Sequence, residues 1–215
     1  ESGDEALLAS FKSGEDIHRR TASEVFRVPP AEVTPDQRRA AKAINFGIVY
    51  GQTAFGLAAQ LGISQQEAAA YIKGYLERYP GVSAWVESNL ARARREGCAR
   101  TLLGRVRWLP ELAAKNAALR QFTERAARNT PIQGGSADII KLAMLEIAKD
   151  LAKGRRGAEM LLQVHDELIF EVEAGEVPRF AKRVRGAMEG AVRLKVPLVV
   201  DVKAGPNWQD MEKLK

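Results

Sequence analysis

Apolar positions along this chain change period late in the sequence. Up to about residue 153 they recur at three- and four-residue steps, the spacing of helix faces. From residue 159 they crowd into short runs of strand length. Residues 5–27 predict one or two short helices, with Gly14 or Asp16 as the restart, and "VPPAEVTP" (28–35) is a proline-rich connector. Thr34, Pro35 and Gln37 then suit an N-cap, a first helical position and a capping box, so a helix runs from there to Tyr50 and stops at Gly51. A short helix over 53–62 follows. Ser64 and Glu67 open another that ends at Tyr79, and 82–96 form an amphipathic helix through Val82, Trp85, Val86 and Leu90. "ARTLLGRVRWLP" (99–110) predicts a hairpin around Gly104. Helices over 116–129 and 135–153 are separated by "TPIQGG", where Pro131, Gly134 and Gly135 break or bend the chain. "EMLLQV" and "LIFEVE" predict two strands around "HDE", residues 176–194 return to helix, and "VPLVVDVKAG" closes with a strand. The class is α+β: a helical front and a small antiparallel sheet behind, joined near residues 115–135.

Bulk properties narrow the function classes. The 215 residues suffice for one large domain or two small ones. Lys and Arg number 33 against 27 Asp and Glu, and the net charge of +6 mildly favours an anionic partner. The single cysteine, Cys98, excludes a disulfide framework within the chain and fits a reducing compartment. No apolar run approaches the ~20 residues of a membrane span, and "ESGDEALLAS" has neither the basic start nor the apolar stretch of a signal peptide. The missing initiator Met suggests a fragment or a processed chain.

Three segments carry candidate chemistry. In "RRAAKAINFGIVYG" (38–51), Arg38, Lys42, Phe46 and Tyr50 step by four and form a slanting stripe on one helix face, two cations and then two rings. Cations attract phosphates and rings stack on bases, so the stripe suits one nucleotide; taken alone, the segment is more often a solvated start and a buried aromatic end. In "LLQVHDELIFEV" (161–172), Asp166 lies at or beside a turn, where a carboxylate is held accessible for a hard ion such as Mg²⁺, with Glu167 as an auxiliary. A charged turn without a ligand is the alternative, and His165 suits a structural hydrogen bond. In "ERAARNTPIQGGSADIIK" (124–141), Arg125, Asn129 and Gln133 step by four and offer a guanidinium fork and two amides, groups that contact base edges and sugars or simply make an exposed polar face.

"RRAAKAINFGIVYG" together with "QVHDELIFEV", more than 100 residues apart, resembles the bacterial DNA polymerase I family, the family A DNA polymerases. "SGEDIHRRTASEVF", "ERYPGV", "TLLGRVRWLP" and "ERAARNTPIQGGSADIIK" resemble further blocks of that family in the same order, so the likeness covers essentially the whole chain. It implies a right-hand polymerase fold, with a fingers subdomain over 1–120 and the C-terminal part of the palm over 121–215. Carried over position by position, Arg38, Lys42 and His18 hold the triphosphate, Phe46 sits against sugar and base, and Tyr50 guards the insertion pocket. Arg125, Asn129, Gln133 and His165 contact primer–template DNA. Asp166 binds metal, with Glu167 beside it, and the catalytic set is Asp166, Lys42 and Glu167. Phe rather than Tyr at position 46 implies poor use of dideoxynucleotides.

The implied reaction is template-directed transfer of a nucleotide from a dNTP to a primer 3′-hydroxyl by a two-metal Mg²⁺ mechanism, in the cytoplasm at a bacterial nucleoid, with no membrane partner. Two departures stand out. The family's first catalytic aspartate lies in a block of roughly DYSQIELR, and no such string occurs here. The chain alone is therefore expected to be inactive unless an upstream polymerase segment carries that Asp. Gly135–Ser136 stands where the family more often has Thr or Ala. The alternative function is a non-catalytic nucleic-acid-binding fragment that needs an upstream segment; a single-subunit RNA polymerase fits the fingers and the HDE block less well.

Overall fold

The computed structural model describes residues 1–153 and 157–214; expectations touching 154–156 and 215 lie outside the described residues. The chain forms two compact units, Glu1–Gly134 and Gly135–Lys215. This division falls later along the chain than the residue-120 boundary expected for the functional subdomains.

The first unit is helical because its segments carry both caps and apolar faces. Helix α1 spans Glu5–Lys12 and α2 Ile17–Phe26, with Asp4 and Asp16 as N-caps. One Asp4 oxygen accepts from the Leu7 N–H (3.1 Å) and the other from the Gly81 N–H (3.0 Å), so one carboxylate satisfies orphan donors of two helix starts. Helix α3 (Pro35–Val49) opens with the expected capping box of Thr34 and Gln37 and ends at Tyr50. Helices α4 (Ala54–Leu61), α5 (Gln65–Arg78, with the Ser64–Glu67 capping box) and α6 (Pro80–Glu96) follow. Ile44 and Ile48 of α3 pack on Leu57, Tyr75, Tyr79 and Val82, which fixes the roll of α3 and turns its polar stripe away from this core. Truncating Ile44, which has no exposed surface, costs roughly 2–5 kcal/mol.

Strands β1 (Cys98–Arg100) and β2 (Val106–Trp108) make the expected antiparallel hairpin, with Gly104 at φ 87° in its loop. Helix α7 (Ala117–Asn129) packs Ala127 against Leu90, Ala99 and Leu109. Residues Thr130–Gly134, expected to break or bend the chain, stay helical as a π-helical turn, and α8 spans Gly135–Ala152.

In the second unit, β3 (Ala158–Val164) and β4 (Glu167–Val172) form an antiparallel hairpin, with Leu161 as the extra residue of a bulge. Met160, Leu168 and Phe170 pack around Ile147 of α8 and Phe180 and Val184 of α9 (Val177–Glu189). Two expectations are corrected. The last helix ends at Glu189, short of residue 194. Of the expected strand over 196–205 only Lys203–Ala204 (β5) pairs, with Glu212–Lys213 (β6). Apolar alternation alone does not make a strand where no neighbouring edge is offered, and Val199 stays 80% exposed. The architecture is α+β, mostly helical with three small antiparallel sheets among the described residues.

Candidate functional site

The stripe on α3 is realised. Arg38, Lys42, Phe46 and Tyr50 share one side of the helix, and Phe46 is 45% exposed although its neighbours Asn45 and Gly47 are buried. The Phe46 and Tyr50 rings are nearly parallel, at 6° with centroids 6.1 Å apart, and Lys42 Nζ lies 5.9 Å from the Phe46 centroid. The Phe46 ring thus stays outside the core and leaves surface on which a flat ligand could stack.

Helix α2 brings His18 to the same place, its ring 5.8 Å from that of Phe46. Asn45 Nδ2 lies 2.9 Å from His18 Nδ1, and the buried Asn45 Oδ1 accepts from the Thr21 hydroxyl at 3.1 Å. Asp16 ties the two helices together. Its Oδ1 accepts from the backbone N–H groups of His18 and Arg19, and its Oδ2 accepts from Arg38 Nε at 2.6 Å. The carboxyl of Asp16 is pushed up by burial, but the Arg38 hydrogen bond and the two N–H donors outweigh this and hold it below its ordinary value. Burial pushes the His18 imidazole down; Asp16 opposes, while Arg38 and Lys42 add to the depression, so the ring is neutral at neutral pH. The result is a cationic, ring-lined ledge at the start of α2, suited to a phosphate chain and a flat base.

Arg125, Asn129 and Gln133 lie on α7 and the π-turn of the same unit. Arg125 is exposed, its guanidinium 5.9 Å from the centroid of the exposed Phe122 ring. The Asn129 Oδ1 is buried and, among the described residues, accepts no hydrogen bond. Arg128, which sequence reasoning passed over, packs against the end of α3: a side chain added at Gly51 would lie 3.2 Å from its Nη1.

His165, Asp166 and Glu167 belong to the second unit. His165 and Asp166 make the two-residue turn between β3 and β4, and Glu167 is the first residue of β4, opposite Val164. His165 holds a left-handed φ of 54°, uncommon outside glycine, and its carbonyl accepts from Gln163 Nε2. All three side chains are exposed. Among the described residues no group of three or more His, Cys, Asp or Glu is arranged to hold a metal, so any cation here draws on Asp166 and Glu167 plus outside ligands.

Sequence reasoning missed Asp16, Thr21 and Asn45. Asp16 carried a helix-start signal only, and an Asn in an otherwise apolar helix face was the one trace of the buried network.

The family model of DNA polymerase family A matches residues 1–210. DNA polymerase I of Pseudomonas aeruginosa is 48% identical over 207 residues, which are 96% of this chain and 23% of that protein; DNA polymerase I of Bacillus subtilis is 49% identical over 209 residues, 97% and 24%. The chain thus spans about a quarter of the length of these relatives. A solved POL domain of Pol1 from M. smegmatis, in complex with DNA primer-template and dNTP, superposes with a TM-score of 0.87 at 45% identity, over 92% of this chain and 35% of that one. The family match over nearly the whole chain, with relatives close to half identical, shows that the chain belongs to DNA polymerase family A.

Proposed function

We propose that this chain supplies the fingers and the C-terminal part of the palm of a template-directed DNA polymerase, fingers over 1–120 and palm over 121–215. The observation that carries the proposal is the α3 ledge: Arg38, Lys42, Phe46 and Tyr50 on one helix face, with His18 against Phe46. In the reaction the primer 3′-oxygen bonds to the α-phosphorus of the dNTP, the bond from that phosphorus to the bridging oxygen of the β-phosphate breaks, and pyrophosphate leaves. Lys42 and Arg38 bind the triphosphate, and His18 donates to it. Phe46 and Tyr50 pack on sugar and base and exclude water from that side. Arg125, Asn129 and Gln133 hold primer–template, and His165 lies near the primer end.

Asp166, with Glu167 beside it, would hold Mg²⁺. The donors fit: hard, exposed carboxylate oxygens at the turn and on the strand residue after it, neither in an ion pair with any described residue. Two divalent ions, when bound, neutralise phosphate charge and acidify the attacking hydroxyl. The second carboxylate would come from the segment carrying the family's first catalytic Asp. Arg38 is engaged by Asp16 here, so binding a triphosphate exchanges one carboxylate for phosphate oxygens of higher charge.

The test is primer extension with Mg²⁺ by a polypeptide in which this chain follows a segment carrying that first aspartate. Extension is expected from the wild type and none from Asp166→Asn, with primer–template binding retained. Extension by Asp166→Asn at the wild-type rate contradicts the proposal.

A further inference from the structure

The mechanism uses His18 as a donor but leaves unexplained the two buried polar side chains behind it. Asn45 has 8% and Thr21 2% of its surface exposed, in a helix pair otherwise packed with alanine and isoleucine. Burying an amide and a hydroxyl is costly unless they pair, and here they pair into one chain: Thr21 Oγ1 donates to Asn45 Oδ1, and Asn45 Nδ2 meets His18 Nδ1. An amide nitrogen only donates, so in this arrangement Nδ1 must accept, and a neutral imidazole then carries its proton on Nε2. Among the described residues Nε2 has no hydrogen-bond acceptor. The direction follows from the placement of the Asn45 amide, which the Thr21 hydroxyl holds by its oxygen with the amide nitrogen toward the ring.

We propose that Thr21 and Asn45 are positioning residues that fix His18 as the Nε2–H tautomer, in one ring orientation against Phe46, so that this proton is presented to an anionic oxygen of a bound triphosphate. The inference rests on the α3 ledge being the triphosphate site. The neutral state that the relay requires is favoured by burial and by Arg38 and Lys42, against Asp16. The arrangement resembles the way a metal-bound histidine is oriented by a partner on its other nitrogen, with phosphate in place of the metal.

The test uses the 215-residue chain and two readouts. Nitrogen NMR of the His18 ring above its pKa, with the ring of His165 assigned through His165→Gln, is expected to show a pyridine-like Nδ1 and a pyrrole-like Nε2. The reverse pattern, or rapid averaging of the two, overturns the inference without any variant. Calorimetric titration with dGTP comes second. His18→Leu is expected to weaken dGTP by about 10- to 100-fold, the range for a hydrogen bond to a charged group. Thr21→Val is expected to weaken it severalfold in the wild-type background and not at all in the His18→Leu background. Equal loss in both backgrounds means a merely structural role and overturns the inference, as does no loss from Thr21→Val. Asn45→Leu repeats the cycle if Thr21→Val unfolds. If the wild type does not bind dGTP, or His18→Leu binds unchanged, the ledge assignment itself fails and the inference falls with it.

Discussion

At the residue scale, the chemistry of the ledge depends on two groups whose ionisation is shifted in the same sense. The folded-state pKa of His18 lies below its ordinary 6.5, so protons bind the unfolded chain more strongly. The stability this contributes is complete above 6.5 and is lost as pH falls through the folded value. Asp16 is depressed below its ordinary 3.8, so its contribution is present above 3.8 and disappears only in stronger acid. Acid is therefore expected to loosen the α2–α3 pair in two stages, His18 first. Urea unfolding midpoints measured between about pH 7.5 and about pH 5 should fall with pH in the wild type and fall less in His18→Gln. Parallel profiles would mean that His18 titrates unshifted.

At the element scale, α3 is held at both ends, and the far end depends on one glycine. Gly51 takes φ 72° and lets Arg128 of α7 approach its backbone. Gly51→Ala adds the left-handed penalty of about 1–2 kcal/mol, together with displacement of Arg128. A lowered melting temperature is expected, and an unchanged one would show that α7 does not brace α3. The start of α3 was legible in the sequence because Thr34, Pro35 and Gln37 act within one turn, as do Ser64 and Glu67 at α5. The stripe was legible because helix periodicity is local. The π-turn was not: Pro131, Gly134 and Gly135 signal a break or a bend, and nothing local distinguishes either from the π-helical turn that forms, in which Thr130 Oγ1 donates to the Ala126 carbonyl at 2.7 Å. The strand over 196–205 failed for a related reason, since pairing needs a partner edge that no local pattern reports. Asn45 was illegible as a site residue because its role depends on a hydrogen bond spanning 27 residues of sequence.

At the scale of the whole molecule, two compact units carry complementary parts of one proposed activity. Residues 1–134 hold the cationic, ring-lined ledge; residues 135–215 hold a carboxylate-bearing turn. No helix among the described residues is long and apolar enough to cross a membrane, and the net charge of +6 suits a polyanionic partner. The ledge is the central claim, and it does not depend on the second carboxylate. Its most direct test is calorimetric titration of the 215-residue chain, wild type and Lys42→Ala, with dGTP, dGMP and deoxyguanosine. Affinity is predicted to fall in that order, with Lys42→Ala weakening dGTP by about 10- to 100-fold and leaving deoxyguanosine unchanged. Equal affinity for all three ligands, or for wild type and Lys42→Ala with dGTP, would contradict it.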